Sequence, residues 1–184
     1  MKPLVFTAIL AAASLSACQS EPEIEGPLSD NSVTHASALV SNALGEDVGS
    51  VLLQSDSDHV FLALELRELE PGTKALHLHT TGACESPDFA SAGGHLNPTG
   101  ATHGELSEGG KHLGDLPNVV IAEDGQLSAR INIGIPNQGI LEAINDSDGT
   151  AVMLHAGPDD YISDPAGAAG PRIACGVLTP NEQL

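Results

Sequence analysis

Aromatic side chains are almost missing: 184 residues hold one Tyr, three Phe and no Trp. A core must therefore be built from Val, Leu, Ile and Ala and turned at glycines, which suits a small-stranded β architecture. Basic residues are scarce too, six Lys plus Arg against 25 Asp plus Glu, and so acidic a surface excludes nucleic acid as a partner. Also missing are an internal repeat, a helical period, a coiled-coil heptad and an apolar run of the roughly 20 residues that a membrane-spanning helix needs. At this length one domain with its own core is expected.

Cysteine is rare as well, with only Cys18, Cys84 and Cys175. Cys18 ends an N-terminal stretch made of Lys2, an apolar run over residues 4–13 and then Leu15-Ser16-Ala17-Cys18. The run is short enough to read as a secretory signal over residues 1–17. Leu-Ser-Ala-Cys resembles the lipobox of bacterial lipoproteins, which makes Cys18 the acylated first residue of the mature chain; the alternative is an ordinary signal peptide with a buried cysteine nearby. Cleavage removes Lys2 and no acid, leaving five basic residues against 25 acidic ones and a net charge of −20. Residues 18–32, acidic and bearing proline, are expected to form a lipidated tether, and 33–184 the domain. The expected location is periplasmic, lipid-anchored to the bacterial cell membrane, with Gln19 after Cys18 favouring the outer one. With Cys18 acylated, Cys84 and Cys175 remain as an even pair in an oxidising compartment, and a disulfide rather than two buried thiols is the natural reading.

From Val33 onward short runs recur at regular spacing: 33–41, 48–54, 58–67 and 74–79, then 118–122, 127–133, 150–156 and 172–178. Turn residues such as Gly45-Glu46-Asp47, Ser55-Asp56-Ser57 and Glu70-Pro71-Gly72 separate them. Val60, Leu62, Leu64 and Leu66 share one face at period two, and Phe61, Ala63, Glu65 and Arg67 the other, as in a half-buried antiparallel strand. Four plus four such strands predict a closed barrel or sandwich. Two connections, 80–117 and 157–171, are too long for hairpins, and long loops in compact domains are usually functional.

The first of those loops and the strand before it hold five of the eight histidines. In Leu76-His77-Leu78-His79 the strand period sends both imidazoles to one face, roughly 6–7 Å apart at Cα, close enough to chelate one ion. Gly93-Gly94-His95, Thr102-His103-Gly104, His112-Leu113-Gly114-Asp115 and Leu154-His155 supply further ligand types, so two strands and a loop should converge on a metal centre.

These motifs resemble the Cu,Zn superoxide dismutase family in its bacterial periplasmic form. The resemblance covers about Val33 to Leu178 and rests on His-x-His-x-x-Gly-x-Cys, Gly-Gly-His-Leu-Asn-Pro, His-Leu-Gly-Asp-Leu-Pro-Asn, His-Ala-Gly-Pro-Asp-Asp and Arg-Ile-Ala-Cys-Gly-Val in the family's order. It implies an all-β fold, an eight-stranded antiparallel Greek-key β-barrel of immunoglobulin-like sandwich form with two long functional loops. It implies copper at His77, His79, His95 and His155, and zinc at His95, His103, His112 and Asp115, with His95 bridging the two ions. Donor chemistry agrees: four imidazoles suit tetragonal copper, and three imidazoles with a carboxylate suit a closed zinc site. The resemblance further implies that Asp159 orients His77 and His103 from outside the metal shell, and that Arg172 guides the anionic substrate. Read alone, Asp159 beside Asp160 is a solvated acidic turn and Arg172 a strand-end charge.

Two departures concern steering and packing. Ala75 stands where the family often has glycine, and 157–171 contains no lysine, leaving Lys111 beside His112 as a weak substitute that is better read as solvated. The implied activity is dismutation of superoxide in the cell envelope, and the rival is a copper-binding or buffering module on the same fold without fast turnover. The sequence leaves monomer and homodimer equally open.

Overall fold

A computed structural model describes residues 32–181. The signal, Cys18 and residues 19–31 of the tether lie outside the described residues. Three strands, β1 (Val33–Asn42), β2 (Asp47–Ser55) and β3 (Val60–Leu66), run as an antiparallel meander. Their turns are closed by short acceptor side chains: Asn42 Oδ1 takes the N–H groups of Leu44 and Glu46, and Asp56 Oδ1 those of Asp58 and His59.

After β3 the chain forms β4 (Gly72–Lys74), β5 (Leu76–His79), β6 (Val119–Ile121), β7 (Leu127–Gly134), β8 (Thr150–His155) and β9 (Arg172–Pro180). Seven strands make one curled sheet in the order β5-β8-β9-β1-β2-β3-β7, while β4 and β6 pair separately, and every pairing is antiparallel. Pairing β7 with β3, β9 with β1 and β8 with β5 takes the chain over strands already laid down, as a Greek key does. The fold is all-β, as expected.

Eight strands were expected and nine are described, because the run 74–79 divides at Ala75. There the backbone changes partner: Ala75 N–H donates to Gly157 O, and Ala75 O accepts His155 N–H, so β4 faces β6 whereas β5 faces β8. The Ala75 methyl is fully buried at this switch. A short helix, α1 (Ile140–Ile144), is a second difference from the sequence reading; five residues are too few to display a helical period.

The core lies inside the curl. Val60, Leu62, Leu64 and Leu66 point into it with Val51, Leu53, Ala36, Ala38 and Val40. Phe61, assigned by period to the outer face of β3, is nevertheless only 1% exposed. The Arg130 guanidinium carbon stands 3.3 Å from its ring centroid and covers it as a cation–π lid.

Candidate metal centre

In β5 the strand alternation holds as expected: Leu76 and Leu78 enter the core, and His77 and His79 leave it on the other side. That second side is roofed by the long loop after β5, which is why all four side chains are buried. Backbone bonds stitch the roof to the strand. Leu78 N–H donates to Gly114 O, Leu96 N–H to Leu78 O, and Gly114 N–H to Leu96 O, each at 2.8–2.9 Å. Only glycine fits at 114, because a Cβ there would meet Leu78 O at 2.2 Å. Isolated bridges His77↔Asp115 and His79↔His95 complete the seam, and β8 delivers His155 opposite Arg172 of β9.

The structure brings His77, His79, His95 and His155 together, one ring nitrogen of each lying within 4.8 Å of the others. Hydrogen bonds decide which nitrogen that is. His79 Nδ1–H donates to Gly93 O at 2.9 Å and His155 Nδ1–H to Gly170 O at 3.0 Å. A carbonyl only accepts, so each of these rings keeps its lone pair on Nε2. His77 Nε2–H donates to Asp159 Oδ2 at 2.8 Å, leaving the lone pair on Nδ1. The atoms left over are His77 Nδ1, His79 Nε2, His95 Nε2 and His155 Nε2, and all four are buried without a hydrogen-bond partner. Stranding four polar atoms side by side is costly unless a cation fills the space between them. Burial pushes His79 down to about 3 and His155 to about 4, against the smaller opposing pull of their carbonyl bonds, and it lowers His95 as well. His79, His95 and His155 are therefore neutral near pH 7, with lone pairs free for a metal.

A second group shares His95. Asp115 Oδ1 stands 2.7, 3.0 and 3.1 Å from Nδ1 of His95, His103 and His112, while its Oδ2 accepts N–H from Gly104 and His112. Burial alone would raise the Asp115 carboxyl; the bonds from His95, Gly104 and His112 override it and hold the group ionised far below the usual range. His103 also donates Nε2–H to Asp159 Oδ1 at 3.0 Å. Its Nδ1 lone pair then faces the Asp115 carboxylate, acceptor against acceptor, and a cation between them removes the conflict. Three imidazoles and one carboxylate form a closed set of the zinc type.

Asp159 lies between the groups, taking His77 on one oxygen and His103 on the other. Burial raises this carboxyl too, yet those bonds and the Tyr161 N–H bring it down to about 2. Gly167, at φ 65°, packs against it so tightly that a Cβ would overlap Asp159 Oδ1. Asn118 pins the Asp159 backbone at both ends, donating to its carbonyl and accepting its N–H. Asp160 stays outside, solvated, accepting N–H from Ile162 and Ser163.

Arg172, His79, His95 and His155 line a cleft of about 440 Å³ with Asn97, Pro165 and Ala166. The guanidinium is fixed by the Phe89 carbonyl at 2.5 Å and the Gly93 carbonyl at 2.6 Å. Cys84 and Cys175 are joined as a disulfide with Cα atoms 5.7 Å apart, tying the roof loop to β9. Lys111 does not reach the cleft; its ammonium pairs with Glu105 at 3.1 Å in solvent. The backbone carbonyls of Gly93 and Gly170, the Tyr161 N–H and the Asn118 side chain were not singled out in the sequence. Carbonyls carry no residue-type signal, whereas Asn118 does close the motif His112-Leu113-Gly114-Asp115-Leu116-Pro117-Asn118.

A curled all-β sheet bearing a buried four-imidazole group, joined through His95 to a closed group of three imidazoles and a carboxylate, defines a binuclear metalloprotein of the copper-and-zinc class. The chain belongs to the copper/zinc superoxide dismutase family, whose model matches residues 48–178. It is 41% identical to the Cu-Zn superoxide dismutase of Caulobacter vibrioides over 147 residues, 78% of this chain and 84% of that one. Its structure is similar to that of a SOD-like protein from Bacillus subtilis, with TM-score 0.74 and 34% identity, covering 80% of this chain and all of the other. The Cu/Zn superoxide dismutase from Brucella abortus gives TM-score 0.64 at 27% identity, over 81% of this chain and all of that one.

Proposed function

We propose that this chain dismutates superoxide, converting two superoxide anions and two protons into one O₂ and one H₂O₂. In this reading His77, His79, His95 and His155 hold copper, and His95, His103, His112 and Asp115 hold zinc. The observation that carries it is the set of four stranded imidazole nitrogens, three of them on rings that line one cleft together with a fixed guanidinium. When bound, copper supplies a one-electron couple that accepts an electron from one superoxide and returns it to the next.

Everything else is the work of this chain's side chains. Arg172, held rigid by two carbonyls, offers an anion its remaining donors and a full positive charge. His79 and His155 are locked in the Nδ1–H tautomer by Gly93 and Gly170, so neither ring can turn its lone pair away. His95 belongs to both ligand groups, with Nε2 among the stranded nitrogens and Nδ1 against Asp115. Its Nε2 is the atom placed to hold a proton close to the substrate and release it to the peroxide being formed. Pro165 and Ala166 add apolar wall to the same cleft.

The test is metal content with activity on the purified mature domain. Native mass spectrometry should find one copper and one zinc per chain, and superoxide consumption should rise with copper content. A domain that takes up only zinc after growth and reconstitution with copper would contradict the reading.

Export and anchoring belong to the same proposal, supported by the signal-like residues 1–17, Leu15-Ser16-Ala17-Cys18 and the acidic stretch 18–32. Acylated Cys18 would hold the domain 33–184 on the periplasmic side of a membrane. Cys18→Ser should move the protein from the membrane to the soluble envelope fraction with activity intact; a wild type that is already soluble would overturn the anchor.

A further inference from the structure

Among the residues lining the copper-side cleft, Arg172 is the cation, and its guanidinium is held by the turn that precedes Gly93. The same turn carries an acid. Asp88 is exposed, and its Oδ1 accepts the N–H of Ala90 at 3.0 Å. Ala90 N is bonded to the carbonyl carbon of Phe89, whose oxygen takes the Arg172 guanidinium at 2.5 Å. That chain of contacts keeps carboxylate and guanidinium within about 8 Å of each other, whatever the angles between them. About 8 Å is one Debye length at physiological salt, so the two charges are felt together by an approaching anion although they do not touch. Burial lowers the Arg172 proton affinity, and the charge of Asp88 opposes that shift, as expected at such a distance. Other acids near the centre are engaged: Asp115 and Asp159 are bonded to imidazoles. No lysine lies in residues 157–171 to offset Asp88, and Lys111 is paired with Glu105.

We propose that Asp88 sets the anion selectivity of the cleft: placed beside Arg172, it weakens capture of every anion, but weakens it more for dianions than for monoanions such as superoxide. The proposal rests on the superoxide reading above. Coulomb energy is linear in the charge of the visitor, so a factor f in affinity for a monoanion becomes f² for a dianion at the same place. An enzyme bathed in phosphate and sulfate gains from such a filter, because Arg172 alone would favour those ions over its substrate. A single exposed carboxylate at this distance corresponds to about a twofold effect on a monoanion in dilute buffer, fading as salt screens it.

Asp88→Asn removes the charge while leaving an oxygen able to accept the Ala90 N–H, so the turn is kept. On protein carrying copper and zinc, azide affinity is read by optical titration and sulfate affinity by competition with azide. The expected result at low ionic strength is azide tighter by about twofold, sulfate tighter by about fourfold, and a superoxide rate constant about twofold higher, with metal content equal. All three differences should vanish in about 0.5 M salt, and Asp88→Glu should match the wild type. Equal gains for azide and sulfate, no gain, or a gain that survives high salt would overturn the role of Asp88. Azide and sulfate binding need no turnover, so they judge Asp88 by themselves. A wild type that binds azide yet does not consume superoxide would sink the dismutase reading instead.

Discussion

His79 and Arg172 are tied to one atom: the Gly93 carbonyl oxygen accepts Nδ1–H of His79 at 2.9 Å and a guanidinium N–H of Arg172 at 2.6 Å. An imidazole of the four-nitrogen group and the guanidinium of the cleft are thus positioned by the same peptide. Two electrostatic effects compete at this place. The chain, at a formal net charge of −19, repels superoxide at long range, but that repulsion is screened beyond about 8 Å, whereas a cation in the cleft wall acts within that length. Arg172→Glu should therefore cut the bimolecular rate about tenfold or more, with copper and zinc content unchanged. Pulse radiolysis at two ionic strengths reads it, and equal rates in both proteins would show that substrate guidance lies elsewhere.

Asp159→Asn replaces a carboxylate that accepts from His77 and His103 with an amide that has one acceptor and one donor end. One imidazole loses its partner and both lose the negative charge that raises their basicity. Metal retention should fall about 10- to 100-fold, measured by competition with a chelator. Unaltered retention would mean that the metal-facing tautomers are set by something other than Asp159.

In the metal-free domain, His79 and His155 titrate at about 3 and about 4 when folded, below the ordinary 6.5 of the unfolded chain. As pH falls through 6.5 the unfolded chain takes up protons that these buried rings refuse, so the stability present above 6.5 is lost progressively towards pH 4. At pH 5 the loss is at most about 2 kcal/mol for each ring. Asp115 and Asp159, also depressed, act in the same direction at lower pH. The metal-free domain should therefore melt roughly 5–15 °C lower at pH 5 than at pH 7. A flat profile in calorimetry would show that His79 and His155 are solvated when no metal is bound.

The Cys84–Cys175 link closes a separation of 91 residues, worth up to about 4–5 kcal/mol by chain entropy. It also anchors the loop that brings His95, His103 and His112 to the centre, through packing with Phe89, Ala92 and Met153. Cys175→Ser should lower the Tm and speed zinc loss to a chelator. An unchanged Tm together with unchanged zinc affinity would remove the link from the account.

The parts of this structure that could be read from sequence are those where residue type alone carries the physics. The period-two run from Val60 to Leu66 buries the face it announces, and the His77–His79 pair follows from strand alternation. What escaped depends on partners distant in the chain. The split at Ala75 is decided by Gly157 and His155, and the burial of Phe61 by Arg130 from another strand. The tautomers of His79 and His155 are set by the carbonyls of Gly93 and Gly170, groups that every residue has. Asn118 could have been noticed within its motif, but its role appears only once Asp159 lies against it.

The most direct measurement is pulse radiolysis of the domain loaded with one copper and one zinc, with superoxide in large excess over protein. The account predicts first-order decay proportional to enzyme, many superoxide anions consumed per copper, and a rate that falls with rising salt as Arg172 is screened. A domain that holds both metals yet consumes no more than about one superoxide per copper, at a rate indifferent to salt, would be a copper-holding module and would contradict it.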